Sequence, residues 1–228
     1  MNEALWFLLL LLNFAAILFA YRVFGKTGLF VWVPIAIIIS NIQVTKQVDV
    51  FGLAATLGNI VYATSFLVTD ILSENYGKRE AKKAVYIGFF AIIAMTLFMN
   101  IALQFKPGPE DTVQEHLSWI FSLMPRIALA SLAAYALSQF HDVWAYSFWK
   151  KKKPARKFIW LRNNASTFIS QLIDSVIFVF AAFAGEYPLN VLLEILFTTY
   201  FLKVLVAAAD TPFVYIAGAW KENGKIPN

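Results

Sequence analysis

The chain has no cysteine, and only two of its 228 residues are histidine. Disulfides, iron–sulfur clusters and thiolate zinc sites are therefore excluded. His116 and His141 stand alone, and no HExxH pattern occurs, so a catalytic zinc lacks a ligand set. Charge is scarce as well: Asp, Glu, Lys and Arg make up 14% of the residues, against about 25% in a soluble domain. A phosphate-binding loop is missing too. Gly25-Lys26-Thr27 ends like one, but the first glycine of the pattern falls on Ala20. Asp174 and Asp210 could serve a membrane aspartyl protease only with flanking glycines that are absent here. No metal, cofactor or enzymatic activity is expected.

What the chain has is apolar length. Hydrophobic residues make up 60% of it, and the mean hydropathy is +0.64. Seven apolar runs stand out: Leu5–Tyr21, Leu29–Val44, Leu53–Leu72, Ala84–Phe105, Leu117–Gln139, Ser166–Ala184 and Leu189–Ala219. Each approaches the roughly 20 residues a helix needs to cross a bilayer. The expected fold is all-α, a polytopic helical bundle forming one integral membrane domain over residues 1–228. The last run is long for one span, and Pro212 near its end predicts a kink. Glu3 and the lack of Lys or Arg in Met1–Ala4 argue against a cleaved signal peptide.

Connector charge alternates. Arg22 and Lys26, then Lys78, Arg79, Lys82 and Lys83, then Lys150–Lys153, Arg156, Lys157 and Arg162, then Lys221 and Lys225 follow the odd-numbered runs. Glu110, Asp111, Glu115 and Glu186 lie in the alternate connectors. By the positive-inside rule, the expected location is the plasma or inner membrane, with the N-terminus outside and the C-terminus cytoplasmic. The net charge of +5 is thus read as orientation, and no nucleic-acid partner is expected. The Asn164-Ala165-Ser166 sequon falls on the cytoplasmic side and has no meaning there.

Ionisable groups at membrane depth are costly, so they usually face a cavity or a partner. The third run carries Asn59, Tyr62, Phe66, Asp70 and Glu74 on one helical face; the sixth carries Thr167, Gln171, Asp174 and Phe178. The seventh has Lys203 near its middle and Asp210 two turns on. The fifth has Arg126 near its outer end, then Ser131, Tyr135, Ser138 and Asp142 on a common face. Ala130, Ala134 and Ser138 recur every four residues and permit close helix packing. Each group also has a plainer reading. Asp174 and Lys203 could merely neutralise each other; Asp70 and Glu74 could pair with Lys78 or Arg79; Arg126 could snorkel to the interface; and the Tyr and Phe positions suit packing. Convergence of three polar faces at overlapping depth favours a cavity, whose carboxylate, amide and aromatic groups suit a flat polar heterocycle.

Several segments resemble the queuosine precursor transporter family, also called the VUT family. They are Thr69-Asp70-Ile71-Leu72-Ser73-Glu74-Asn75-Tyr76-Gly77 with the basic run after it, and Arg126-Ile127-Ala128-Leu129-Ala130-Ser131 leading through Ala134–Gln139 to Asp142. Asn164–Thr167 with Gln171 and Asp174-Ser175, Phe201–Leu205, and Ser40-Asn41 complete the resemblance, which spans Ile38 to Ile216. It implies a six-helix core at 28–220 with an additional N-terminal helix at 1–27, and uptake of 7-deazaguanine bases such as 7-cyano-7-deazaguanine. Expected partners are that small-molecule base and the lipid bilayer, with a homodimer left open. On this reading the substrate-binding residues are Asn41, Asn59, Tyr62, Phe66, Asp70, Glu74, Arg126, Gln139, Gln171, Asp174 and Lys203. Asp174 or Asp70 would take the guanine N–H edge, Gln171 and Asn41 would be amide partners, and Phe66 or Tyr62 would stack on the ring. Lys203 would keep Asp174 ionised. The competing expectations are a substrate-binding subunit energised by a separate ATPase complex, and a membrane assembly protein without cargo.

Overall fold

The computed structural model describes residues 1–121 and 124–227. Its elements in order are α1 (Asn2–Gln43), β1 (Gln47–Val50), β2 (Leu53–Thr56), α2 (Gly58–Asn75), α3 (Lys78–Ala102), α4 (Gln114–Phe121), α5 (Met124–Lys152), α6 (Ile159–Phe183) and α7 (Leu189–Glu222).

The first two apolar runs are one helical stretch that reverses on itself. A straight helix of 42 residues would be about 60 Å long. Instead the Asn2 amide donates to the Asp49 carbonyl at 2.9 Å, and Trp6 meets Phe51 at 5.9 Å between ring centroids. The reversal is at Gly25, whose φ of 58° and ψ of −141° leave the helical region and suit a residue without a Cβ. A Cβ on Gly28 would collide with the Ala20 carbonyl, so the two arms, 2–24 and 26–43, cross tightly there.

The third run does not start as a helix. Its first residues form β2, paired antiparallel with β1 in the register Gln47 to Thr56 and Val50 to Leu53. Phe51 and Gly52 both take positive φ, 57° and 73°, which is what a two-residue hairpin turn demands. Helix α2 then begins at Gly58, not at Leu53. At the other end, α3 begins at Lys78, so the basic connector forms the first turns of that helix. The fifth run divides into α4 and α5, inclined at 41°.

Polarity is inverted relative to a soluble protein. Phe90 and Phe197 are each 73% exposed, while Asp70, Asp142, Asp210, Arg162 and Gln171 are at 0%. Such an apolar exterior around a polar interior belongs in lipid. Helices α1, α3 and α7 and the stretch Arg156–Phe183 are each long and apolar enough to cross a membrane, and α4 with α5 makes a fifth if that bent pair is one span. The protein is a multi-pass membrane protein. Helix α2 falls short of that apolarity, and burial explains why. Its residues 58–73 are all buried except Tyr62, so α2 runs through the middle of the bundle and shows lipid little of its polar face.

The bundle therefore has two ends. One carries the β-hairpin, the start of α2 and the end of α6. The other carries the end of α2, the start of α6 and most of the Lys and Arg residues.

Candidate functional site: a buried polar axis

The polar faces of α2, α5, α6 and α7 meet along an axis through the bundle, and they sort into three layers.

Nearest the hairpin lies a cavity of about 40 Å³. Its wall includes Ser40 and Asn41 from the second arm of α1, Asn59 and Tyr62 from α2, Ser131 from α5, Asp174 and Phe178 from α6, and Lys203 from α7. Gly58 also lines it, and a Cβ there would strike the Ser40 carbonyl, so the α1–α2 crossing that closes this wall needs glycine. Asp174 organises the layer. Its Oδ2 accepts from Lys203 Nζ at 2.5 Å, and its Oδ1 accepts from the Tyr62 hydroxyl at 2.5 Å and from Ser138 at 3.1 Å. Lys203 Nζ also lies 5.0 Å from the centroid of the Tyr62 ring, within reach of a cation–π attraction. Asn41 donates its amide N–H to the Ile37 carbonyl at 2.8 Å. The Asn59 amide nitrogen is buried without a partner among the described residues.

The middle layer holds Gln139, Asp70, Asp142 and Asp210, all at 0% exposure. Gln139 accepts from Thr69 at 3.2 Å and donates to Ser65 at 3.2 Å. Thr167 Oγ1 lies 3.1 Å from Asp70 and 3.2 Å from Asp142. Asn163 donates to Asp210 at 2.6 Å. Gln171 lies on the same face of α6, one turn from Thr167 towards Asp174. Both ends of its amide are buried without a partner among the described residues.

The third layer closes the basic end. Glu74 accepts from Arg162 at 2.8 Å and from the Tyr146 hydroxyl at 2.9 Å, with Lys150 Nζ at 3.6 Å. Arg162 also donates to the carbonyls of Lys153, Pro154 and Ala155, at 2.7, 3.0 and 3.3 Å.

Of the residues expected to bind substrate, the structure brings Asn41, Asn59, Tyr62, Asp174 and Lys203 to one cavity. Phe66 packs behind Tyr62 with ring centroids 6.1 Å apart and does not line it; Phe178 takes the aromatic position on the wall. Gln139, Asp70, Gln171 and Glu74 lie deeper along the axis. Arg126 stands apart. It is exposed, pairs with Glu186 at 2.9 Å, and donates to the Ala181 and Ala184 carbonyls at 3.3 and 2.5 Å, capping the end of α6. Asp70 and Glu74 do not pair with Lys78 or Arg79; Glu74's partners come from α5 and α6. Connector charge had placed Arg162 outside the bundle, yet it is wholly buried. One signal in the sequence could have found it: Arg162, Ser166 and Ser170 continue the polar spacing of α6.

Residues 56–217 match the family model described as "Putative vitamin uptake transporter". The chain is 44% identical over 216 residues to the "Probable queuosine precursor transporter" of Bacillus subtilis, across 95% of this chain and 94% of that one. It is 28% identical over 173 residues to the "Queuosine precursor transporter" of Escherichia coli, across 74% of each. A third relative, the "Probable queuosine precursor transporter" of Haemophilus influenzae, is 23% identical over 163 residues, across 71% of this chain and 65% of that one. No solved structure matches the chain.

Proposed function

The chain belongs to the queuosine precursor transporter (VUT) family, and from that premise we propose that it imports 7-deazaguanine bases, the precursors of queuosine, across the plasma or inner membrane. The observation that carries this reading is the Asp174–Lys203 ion pair, which forms the wall of a cavity where α1, α2, α5, α6 and α7 meet. A neutral, flat, polar cargo suits such a wall. The two charges compensate each other, and the Tyr62 and Phe178 rings offer faces for stacking. The Asn59 amide nitrogen, unpaired and buried, can donate to the base carbonyl. Asp174 and the Asn41 oxygen can accept from the guanine N–H edge. An unpaired buried polar group costs about 1–3 kcal/mol, and a cargo that satisfies Asn59 recovers part of it.

At about 40 Å³ the cavity is far below the roughly 300–1,000 Å³ of ligand pockets. Admission of a bicyclic base requires the walls to part, and the α1–α2 crossing at Gly58 is the side next to the hairpin. The orientation follows connector charge, with the N-terminus and hairpin outside and the basic end in the cytoplasm. Residues 28–220 make the transporting core, and the first arm of α1 braces it. The alignment with the Bacillus relative takes in 95% of this chain, too much to leave out the whole of that arm.

The test is thermal unfolding of the detergent-purified protein with 7-cyano-7-deazaguanine, 7-aminomethyl-7-deazaguanine, queuine, guanine and a pterin. A ligand that binds the native state raises its midpoint by mass action. Midpoints that rise with deazaguanines alone support the reading. A folded protein that responds to none of them, or to the pterin instead, refutes it.

A further inference from the structure

Asp70 on α2, Asp142 on α5 and Asp210 on α7 share the middle layer, deeper than the cargo cavity, and all three are at 0% exposure. Among the described residues none has a Lys or Arg partner. Lys203, two turns nearer the cavity on α7, is engaged by Asp174. Arg162, towards the basic end of α6, is engaged by Glu74 and three carbonyls, and Lys150 and Tyr146 of α5 also turn to Glu74. His141 of α5 meets Ser170 at 2.9 Å. In the layer itself α6 supplies only neutral groups, Asn163 and Thr167. Three ionised carboxylates without a counter-charge at membrane depth would be prohibitively costly.

The hydrogen-bond geometry says how the cost is avoided. Thr167 Oγ1 lies between Asp70 Oδ2 and Asp142 Oδ1, at 3.1 and 3.2 Å. A hydroxyl carries one hydrogen and can donate to only one of them. The second contact becomes a hydrogen bond when that carboxyl brings a proton of its own. A separate observation points the same way. Asn163 donates to Asp210, yet among the described residues its own Oδ1 is buried with no donor, as is Oε1 of Gln171 on the same helix face. Acceptors without donors, beside carboxyls without cations, mark a place for protons. A metal ion is the poorer occupant, because no three acidic or imidazole side chains among the described residues have metal-holding spacing.

We propose that Asp70, Asp142 and Asp210 form a proton-binding site distinct from the cargo cavity, and that a proton taken up there from the hairpin side and released at the basic end drives cargo uptake. Only an O–H bond forms and breaks. The same proton leaves the outer medium and enters the cytoplasm, and Gln171 lies between the proton layer and Asp174. Protonation does not depend on the transporter reading; the coupling does.

Two measurements test it. The first needs no cargo: infrared difference spectra of the lipid-reconstituted protein across a pH step. A protonated-carboxyl carbonyl band should appear, shift in heavy water, and be lost or reduced in Asp70→Asn and Asp142→Asn. A band that is absent, or unchanged in both variants and in Asp210→Asn, overturns the site. The second uses proteoliposomes and labelled 7-cyano-7-deazaguanine. With one proton per cargo, an inward gradient should concentrate the base about tenfold per pH unit. Asp142→Asn should still exchange labelled for unlabelled base but no longer accumulate it. Exchange by the wild-type protein without gradient-driven accumulation overturns the coupling and leaves the transporter reading standing. Absence of even exchange by the wild-type protein defeats the transporter reading and the coupling with it, while the carbonyl band still decides the proton site.

Discussion

Lys203 on α7 and Asp174 on α6 form an ion pair of 2.5 Å with neither side chain more than 3% exposed. Burying two charges is costly even when they pair, and removing one partner is worse, by about 3–5 kcal/mol, because the other is left uncompensated. Tyr62 and Ser138 share the load by donating to the second carboxylate oxygen. Lys203→Met should therefore lower the unfolding midpoint sharply. The double variant Lys203→Met, Asp174→Asn should regain most of that stability without regaining cargo binding. A double variant that still binds deazaguanine would reduce the pair to a structural element.

Tyr62 has two roles that one substitution separates. Tyr62→Phe loses the bond to Asp174 but keeps the ring, with its edge contacts to Phe66 and Tyr135 at 6.1 and 6.3 Å. A hydrogen bond to a charged group contributes about 1.5–3 kcal/mol, so a loss of that size is expected in unfolding measurements. Cargo affinity should weaken modestly in Tyr62→Phe and collapse in Tyr62→Ala. Equal affinities in the two variants would rule out stacking on this ring.

Gln171 is the reverse case. Its amide is buried and has no hydrogen-bond partner among the described residues, so Gln171→Leu removes an unsatisfied group rather than an interaction. Stability should hold or rise. If the amide turns to cargo or to the proton layer during transport, uptake should fall all the same. Unaltered uptake would remove Gln171 from the transport path.

Gly88 has a packing role. A Cβ there would run into the Tyr135 hydroxyl and the adjoining ring carbon. Gly88→Ala should cost about 1–3 kcal/mol as overpacking. Adding Tyr135→Phe should recover only part of this, since the ring carbons stay in the way. Full recovery would show that the hydroxyl alone sets the limit.

Glu80 joins α3 to the turn of α1, with Lys83 at 2.8 Å and Lys26 at 3.1 Å. Lys83, and after it Lys26, hold its carboxyl below the ordinary carboxylate value. A depressed carboxylate stabilises the fold above its unfolded-state pKa, and the contribution is lost as pH falls through the lowered folded value. Glu80→Gln should flatten the acid side of the stability profile and leave the neutral side nearly unchanged. An unchanged acid limb would mean that solvent screens the pairs completely.

The alternation of connector charge and the seven apolar runs made the bundle legible from the sequence, and the helical spacing in α2 and α6 picked out most of the polar axis. The β-hairpin was less legible, because Gln47–Thr56 is short and its turn hides in Phe51-Gly52, where only the positive φ values reveal it. The Gly25 reversal carried a clearer sign, two apolar runs parted by Arg22 and Lys26. For the site itself, Asn59, Tyr62 and Asp174 follow from helical spacing, and Lys203 from its depth in the last run. Arg126 was misplaced by the same logic: a basic residue near a helix end reads alike whether it faces a cavity or, as here, the carbonyls that end α6.

What the sequence determined by itself is the class of the molecule and the face each helix keeps from lipid. Both are local properties, set by residue hydrophobicity and the 3.6-residue period. What only the tertiary structure decided is which faces meet, and at what depth. The rotation and crossing of packed helices place Asp174 against Lys203, turn Glu74 to Arg162, and leave Asp70, Asp142 and Asp210 together with no cation among the described residues. No spacing along one helix can specify those distances, because each is fixed by side chains packing between helices far apart in the chain.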